Sequence, residues 1–378
     1  MSHSNEPLEP SNSDFLNHME TVMKSPLVIA IACLGACSAA TAQSSVTLYG
    51  SLDLGPVYVS NVGGAKAKRL TGGTTQPDRF GFRGVEDLGD GLSAIYGLEA
   101  GIAPDTGTQI NPTKFWNREA KVGLASKTMG TIVLGHLSDA LFDYVGKYSN
   151  GYNLFNFNLF HPGNFDGLAN TSAFDNAIKY ISPTLGGVQG MLEVAAGEGV
   201  GRSTSAGLNY ANGPLRAGLA YSRSNRRAHD IAGRAGIKNA LNRKFTPGVM
   251  VAMDSVTTFG AGAGYSFGAV SVNAAYTQTA IELGGASTTP RNIDLGATWR
   301  TSDLNWVNLG FSNSRFDSTR WNTYSLMDLY WLSKRTQIYA QATLQRASGN
   351  GAVAAINGVG LSSTNRQTVL GIGVHHSF

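Results

Sequence analysis

The sequence has only two cysteines, Cys33 and Cys37, and both lie in one apolar run near the N-terminus. Their absence elsewhere excludes a disulfide-stabilised fold and a thiolate metal site. Charged residues are scarce, at 14%. Beyond residue 42 no apolar run reaches about 18 residues, which excludes a helical membrane protein. What is abundant is glycine, with 47 residues, beside 9% aromatic residues, and this composition favours strands and turns.

The apolar run near the N-terminus predicts a secretory signal peptide over residues 23–42. Met23 and Lys24 supply a start and a positive charge, and the small residues Ala40 and Ala42 form a cleavage site before Gln43. The run is too short to span a membrane as a helix. The sequence therefore predicts a secreted mature chain of residues 43–378.

The residues before this signal are polar and acidic, unlike the start of a signal peptide. We interpret residues 1–22 as an upstream extension from a misassigned start codon. A rival interpretation is that LGAC, which ends at Cys37, resembles a lipobox, with a lipid on that cysteine. Removing residues 1–42 takes away one lysine and four acidic residues, which leaves a net charge of +7.

The mature chain is a series of alternating segments of about ten residues. In the first, SSVTLYGSLDLG, Val46, Leu48 and Leu52 fall on one face while Ser51 and Asp53 fall on the other. With the first, sixteen such segments can be counted, and the others begin near Asp78, Gly91, Trp116, Gly130, Asp175, Gly187, Ser203, Pro214, Thr257, Ala269, Arg291, Leu304, Trp321, Thr336 and Arg366.

The connections between the segments are unequal in a regular way. Every second segment ends in a tight turn such as EDLGDG, ANGP or LSKRT, whereas most of the other connections are longer. Short turns at one end and long loops at the other are typical of an outer-membrane β-barrel. The predicted fold class is therefore all-β, a transmembrane antiparallel barrel of 16 strands, which is wide enough to leave an aqueous channel.

Several motifs resemble one protein family. SSVTLYGSLDLG, DRFGFRGVEDLGDGLSAIYGLEAG, WNREAKVGLASKTMGTIVLG, DNAIKYISPTLGG, LSKRTQIYAQ and the terminal GVHHSF are similar to the trimeric general porins of Gram-negative outer membranes, especially the β-proteobacterial branch. The resemblance implies a homotrimer in the outer membrane that passes small hydrophilic solutes by diffusion. It implies neither catalysis nor a cofactor.

The resemblance also suggests where the channel narrows. In the family, a long third loop folds into the lumen and faces a cluster of wall arginines. The matching loop runs from about residue 137 to residue 173 and carries Asp139 and Asp143. These two carboxylates are expected at the constriction.

Four residues of the wall are expected opposite this loop. Arg79 matches a family arginine, and alternation places Arg79 and Arg83 toward the lumen. Arg118 matches a second family arginine, although it shares the parity of apolar residues. His136 stands where the family has another arginine, so it adds positive charge only at acid pH. The count of three arginines against two aspartates predicts weak anion selectivity.

The chain ends on Phe378, an aromatic residue on the apolar face of the last segment. In the family, the barrel-assembly machinery reads a terminal phenylalanine, and the last strand pairs with the first. Phe378 also suits the aromatic belt at the membrane interface. The adjacent His375 and His376 point to opposite faces of a strand and therefore cannot hold one metal ion.

Two other functions remain alternatives. A barrel enzyme, such as a lipid hydrolase or protease, needs a nucleophile, base and acid near one rim, and none is visible; GYSFG precedes a strand rather than the helix of a nucleophile elbow. A non-conducting adhesin would place its function in the outer loops.

The basic residues 226–244 lack aromatics for base stacking, which favours a solvated loop near anionic lipopolysaccharide over nucleic-acid binding. Asp328 disagrees with its apolar face unless a bulge intervenes.

Overall fold

The computed structural model describes residues 45–169, 173–198 and 201–378. The predicted extension, signal peptide, cleavage site and both cysteines lie outside the described residues. Within the described part, none of the helices is long and apolar enough to cross a membrane.

The described chain forms sixteen barrel strands, two of which, β2 and β12, are each split into two segments. In chain order, β1 to β16 are Ser45–Val62, Ala65–Gly72 with Arg79–Gly89, Leu92–Ala103, Glu119–Ser126, Gly130–Leu137, Phe174–Ile181, Val188–Ala195, Ser203–Asn212, Leu215–Asn225, Ser255–Phe267, Val270–Leu283, Ala286–Thr288 with Arg291–Arg300, Asn305–Phe316, Thr319–Trp331, Thr336–Ser348 and Arg366–Ser377. All sixteen lie where the alternation in the sequence predicts a strand.

Each strand pairs antiparallel with the next, and the barrel closes where β1 pairs with β16. In that seam Ser51 lies opposite Ser377 and Val59 lies opposite Val369. The first part of β1 pairs with the second segment of β2, and the later part pairs with both the first segment and β16. Closure leaves no strand edge unpaired in lipid.

The two faces of the sheet have opposite polarity. Leu48, Leu295 and Leu326 are about half exposed on the outer face, whereas polar residues such as Thr277 and Asp294 are buried on the inner face. This pattern is the reverse of a soluble protein and is the pattern expected of strands between lipid and a polar interior. The predicted fold class is therefore confirmed.

The two ends of the barrel differ in the length of their connections, as the sequence predicts, but three connections at the long-loop end are also short. At one end every connection is short. At the other end five connections are long, namely residues 104–118, 138–173, 196–202, 226–254 and 349–365. Three more are two-residue hairpins, and two of them use glycine pairs with positive φ, Gly63 with Gly64 and Gly284 with Gly285.

The long loops contain short helices and strand pairs. The helices are Leu141–Val145, Gly146–Tyr148, Asn150–Asn153, Phe157–Leu159, Pro162–Asn164 and Ile231–Ala235. The short strands are Thr108–Gln109, Ala228–His229, Asn239–Ala240, Arg243–Lys244 and Val251–Ala252. All of these elements lie in the long connections.

The loop of residues 226–254 is less solvated than its basic sequence suggests. It contributes Ile231, Phe245 and Met253 to a buried apolar cluster that also contains Phe165 and Trp321. The apolar residues between the arginines are therefore a packing face, and only part of this loop is exposed.

The terminal histidines and Asp328 also have clear positions. His375 is buried and its Nε2 lies 2.8 Å from the Ser51 hydroxyl, while His376 is exposed on the other face, beside Thr336. Asp328 is exposed on the outer face of β14, which pairs with β13 without a bulge. Its carboxylate accepts a hydrogen bond of 2.6 Å from Asn305 near the short-turn end.

Candidate pore constriction

The loop of residues 138–173 packs against inward-facing glycines of β8, β9 and β10. A Cβ atom on Gly207 would lie 2.7 Å from the Tyr144 ring, and one on Gly262 would lie 2.6 Å from Cβ of Tyr148. A Cβ atom on Gly218 would collide with the carbonyl oxygen of Tyr144. These glycines therefore form a groove that accepts the helical segments of the loop, because a larger side chain would displace them.

Hydrogen bonds fix the middle of the loop to the opposite wall. The backbone N–H of Asn150 donates to the Asp294 carboxylate of β12 at 2.9 Å. The side-chain amide of Asn150 donates to the Phe311 carbonyl and the Ser312 hydroxyl. Asn273 of β11 donates to the Tyr148 carbonyl at 2.9 Å. The loop thus contacts inward-facing glycines of β8 to β10 and polar groups of β11 to β13.

A buried ion triad holds the next part of the loop. His161 Nδ1 lies 2.6 Å from Asp166, and His161 Nε2 lies 3.1 Å from Asp294. Burial alone would lower the pKa of His161, but the Asp294 and Asp166 carboxylates raise it to about 10. The histidine is therefore a cation at neutral pH. It pairs with one carboxylate of the loop, Asp166, and with one carboxylate of the wall, Asp294.

Between this loop and strands β2 to β4 lies a cavity of about 460 Å³. Its wall side carries Arg79, Glu99, Arg118 and Glu119, and its loop side carries Asp143 together with aromatic residues. Of these aromatic residues, Tyr152 is 54% exposed, so its ring faces open space. The cavity therefore brings charges of both signs together.

Glu99 of β3 connects the two wall arginines. Its carboxylate lies 2.6 Å from Nε of Arg118 and 3.5 Å from Nε of Arg79, and it accepts a hydrogen bond from the Tyr49 hydroxyl at 3.0 Å. Arg79 also donates to the Pro77 carbonyl. The guanidinium groups are thus held in place with part of their charge compensated.

Two lysines pair with the other carboxylates of this region. Asp143 lies 2.8 Å from Nζ of Lys179 and accepts from the Ser138 hydroxyl at 2.7 Å. Glu119 lies 2.8 Å from Nζ of Lys121. Among the residues that the structure describes, no group of three or more acidic, histidine or cysteine side chains could hold a metal ion.

Three of the six residues expected at the constriction meet in this cavity: Arg79, Arg118 and Asp143. Arg118 reaches the lumen despite its parity because β4 begins only at Glu119, so the residue precedes the regular alternation. Arg83 is on the inner face but lies outside the cavity. Its guanidinium lies 5.1 Å from the centroid of the Tyr49 ring. Arg83 is also closer than Arg79 to the short-turn end of β2.

His136 and Asp139, which are also expected at the constriction, are not among the residues that line this cavity. His136 Nδ1 lies 2.6 Å from Asp175, and its Nε2 contacts the Asn117 carbonyl. Asp139 is buried, and its carboxylate accepts from the Phe142 amide nitrogen at 3.1 Å. Burial raises the pKa of Asp139 to about 6. Asp139 therefore stabilises a turn of the loop rather than facing solutes.

Sequence reasoning missed Glu99, Glu119, Lys121 and Lys179. For Glu99 a signal was present, because in IYGLEAG it shares parity with two glycines while Tyr96 and Leu98 take the apolar face. The inward glycines of β8 to β10 were a second signal, since glycine in a strand often marks the close approach of another segment.

A closed barrel with lipid-type residues outside, polar residues inside and a loop against its inner face defines the class of β-barrel channels. Comparisons with known proteins agree. A family profile described as Gram-negative porin matches residues 28–350. Outer membrane porin protein 32 of Delftia acidovorans is 30% identical over 382 residues, which cover 93% of this chain and 99% of the relative. An outer membrane porin of Bordetella pertussis is 25% identical over 421 residues, covering 94% of this chain and all of the relative.

Solved structures show the same fold. The anion-selective porin from Comamonas acidovorans has a TM-score of 0.70 and 24% sequence identity, and the match covers 89% of this chain and 100% of that chain. OmpT of Vibrio cholerae, solved in a trimer form, has a TM-score of 0.65 and 14% identity over 89% of this chain and 99% of that one. The chain belongs to the Gram-negative porin family. It is an outer-membrane diffusion channel.

Proposed function

We propose that solutes and ions cross this channel between the loop of residues 138–173 and the wall arginines Arg79 and Arg118, with a weak preference for anions. The observation that carries the proposal is the cavity in which these arginines face Asp143 across open space. Charges on both sides of a narrow passage select solutes by sign and dipole. Small hydrophilic solutes are the substrates, and no catalysis or cofactor is involved.

The expected selectivity is weak because the charges nearly balance. Arg79, Arg118, Lys121 and Lys179 contribute four positive charges, while Glu99, Glu119 and Asp143 contribute three negative ones. The excess of one positive charge favours anions slightly. Because His136 is paired with Asp175 away from the cavity, we do not expect its protonation to strengthen the preference.

The zero-current potential of the channel in a salt gradient tests this proposal. Replacing Arg79 and Arg118 together by alanine is expected to move that potential toward cation preference, and Asp143→Asn is expected to move it toward anions. Arg335→Gln, a change on a short turn, is the control. If the double arginine variant keeps the wild-type potential, the arginines do not line the constriction.

We also propose that the protein is a homotrimer. Phe115 and Trp116, from the loop of residues 104–118, pack on Phe80 with ring centroids 6.2 and 6.0 Å away. Phe80 shares the outer face of β2 with Phe82, so this loop covers barrel surface that lipid would otherwise contact. A covered outer face of this kind suits a contact between subunits.

The mature protein is proposed to begin at Gln43, and N-terminal sequencing that returned a lipidated Cys37 or an intact Met1 would contradict this.

For assembly, we propose that the barrel-assembly machinery recognises Phe378. In the seam the backbone of Phe378 exchanges two hydrogen bonds of 3.1 Å with Gly50 of β1. The terminal residue is therefore part of the closure as well as the proposed signal.

A further inference from the structure

Five arginines lie side by side on the outside of the barrel, at the long-loop end of β12 to β16. The strand register sets Arg291 opposite Arg315 and Arg315 opposite Arg320. It also sets Arg346 opposite Arg366. Arg346 lies opposite Asn322, which is two residues beyond Arg320 on the same strand. The five residues therefore form a continuous arginine row across five adjacent strands.

All five side chains point away from the lumen. Each is exposed, and the row shares its face with exposed residues of the lipid-facing surface, including Ile293 of β12, Tyr324 of β14 and Leu370 of β16. Inward neighbours such as Gln345 and Gln367 are buried. The arginine row therefore has no part in the channel itself.

The arginine row lacks ion-pair partners within the described chain. In the described part of the chain, no carboxylate forms an ion pair with any of its five members. Arg315 donates only to the backbone carbonyl of Asp317, and the Asp317 carboxylate accepts from the Thr288 hydroxyl instead. Like charges directly opposite on neighbouring strands destabilise a sheet. A row of five such residues is costly unless something outside the chain compensates it.

The row lies beyond an outward-facing pair of aromatic rings, of the kind that marks the membrane interface. On β13 and β14, the rings of Phe311 and Tyr324 form a pair at 5.3 Å, as in an aromatic girdle. The next outward pair is Asn313 and Asn322, joined by a hydrogen bond of 2.6 Å. Arg315 and Arg320 follow, about 7 Å further along the strands. The outward acid of β14, Asp328, lies on the opposite side of the girdle, toward the short turns.

We propose that the arginine row binds the phosphate groups of lipopolysaccharide in the outer leaflet. The long-loop end of an outer-membrane barrel faces the cell exterior, where this phosphorylated glycolipid forms the membrane surface. Arginine suits phosphate because its planar guanidinium donates two parallel hydrogen bonds to it. The inference rests on the outer-membrane location of the protein and is independent of the proposed constriction.

Binding of bis-phosphorylated lipid A to the detergent-solubilised protein, measured by native mass spectrometry, tests this inference. The variant Arg315→Gln, Arg320→Gln, Arg346→Gln removes the centre of the row. Since each basic residue near an anionic surface contributes about fivefold, we expect the variant to bind about 100-fold more weakly. Dephosphorylated lipid A is expected to bind both proteins equally, and excess inorganic phosphate is not expected to displace the lipid.

The matched control removes three exposed positive charges at the other end of the barrel, with Lys127→Gln, Lys334→Gln and Arg335→Gln. It is expected to keep wild-type affinity. Unchanged single-channel conductance shows that both variants are folded. Without lipid A, the row variant is expected to unfold at the same or a higher temperature than the wild type, because repulsion has been removed. Wild-type lipid A affinity in the row variant, or an equal loss in the control, would overturn the proposal.

Discussion

Glu99 interacts with three side chains at once, those of Arg79, Arg118 and Tyr49. Because it compensates both wall arginines, its charge limits the anion preference of the cavity. Glu99→Gln keeps the shape of the side chain, removes the charge and leaves one of the two acceptor oxygens. A unit charge at about 4 Å contributes about 1 kcal/mol in water, so we expect the anion-to-cation permeability ratio to rise by about fivefold.

The zero-current potential in a salt gradient measures this ratio. Glu86→Gln, at an exposed position beside a short turn, is the matched control and is expected to leave the ratio unchanged. An unchanged ratio in the Glu99 variant would show that permeating ions do not pass near this carboxylate.

Gly50 is the second residue with a specific requirement. A Cβ atom at this position would collide with the Phe378 ring and would lie 2.7 Å from the Arg79 carbonyl oxygen. Gly50→Ala is therefore expected to displace the terminal ring and to lower the yield of heat-modifiable trimer, as deletion of Phe378 should. Gly190→Ala, on β7, where the added Cβ would make only ordinary contacts of 3.5 Å or more, controls for loss of glycine. Wild-type trimer yield in the Gly50 variant would contradict the role assigned to this contact.

At the scale of elements, the loop of residues 138–173 depends on His161. The cation lies between Asp166 and Asp294, and all three side chains are buried. His161→Gln leaves two buried carboxylates without their counter-charge, which is expected to cost about 3–5 kcal/mol. The loop should then detach, with a lower midpoint of thermal unfolding and more frequent fluctuations of the single-channel current.

The same triad predicts a pH dependence. The folded-state pKa of His161, about 10, lies above the ordinary value of about 6.5. The stabilising contribution is therefore complete below about pH 6.5, declines above it and is lost by about pH 10. Replacing His161, Asp166 and Asp294 together by neutral amides should remove this dependence and recover part of the stability. A single His161 variant as stable as the wild type would refute the anchoring role.

The strands could be predicted from the sequence because alternation is a local property. Arg79 and Arg83 face inward as their parity requires, and all sixteen strands begin near the expected positions. Parity alone could not place Arg118 because the residue precedes β4, and no local pattern indicated that Asp175 binds the His136 ring. Which loop residues meet the wall depends on contacts distant in sequence, and no local pattern encodes those.

At the scale of the whole molecule, the proposed constriction and the proposed lipid-binding surface use separate charges. The channel charges lie inside β2 to β6 and are nearly balanced, whereas the arginine row lies outside β12 to β16 and has no acidic partner in the described chain. The net charge of the sequence therefore says little about the ion preference of the channel, because much of the positive excess is on the outer surface.

The central claim is that the only route for ions passes between the loop of residues 138–173 and the wall arginines, and one measurement tests it directly. The predicted mature chain has no cysteine, so Tyr152→Cys places one reactive thiol in the cavity, and Ser318→Cys places one on a two-residue hairpin at the rim. Single-channel current is recorded while a bulky, negatively charged thiol reagent is added. We expect the Tyr152 variant to lose current in three equal steps, one for each subunit, with residual anion preference reduced, and the Ser318 variant to keep its current. Full current through a completely labelled Tyr152 variant would contradict the account.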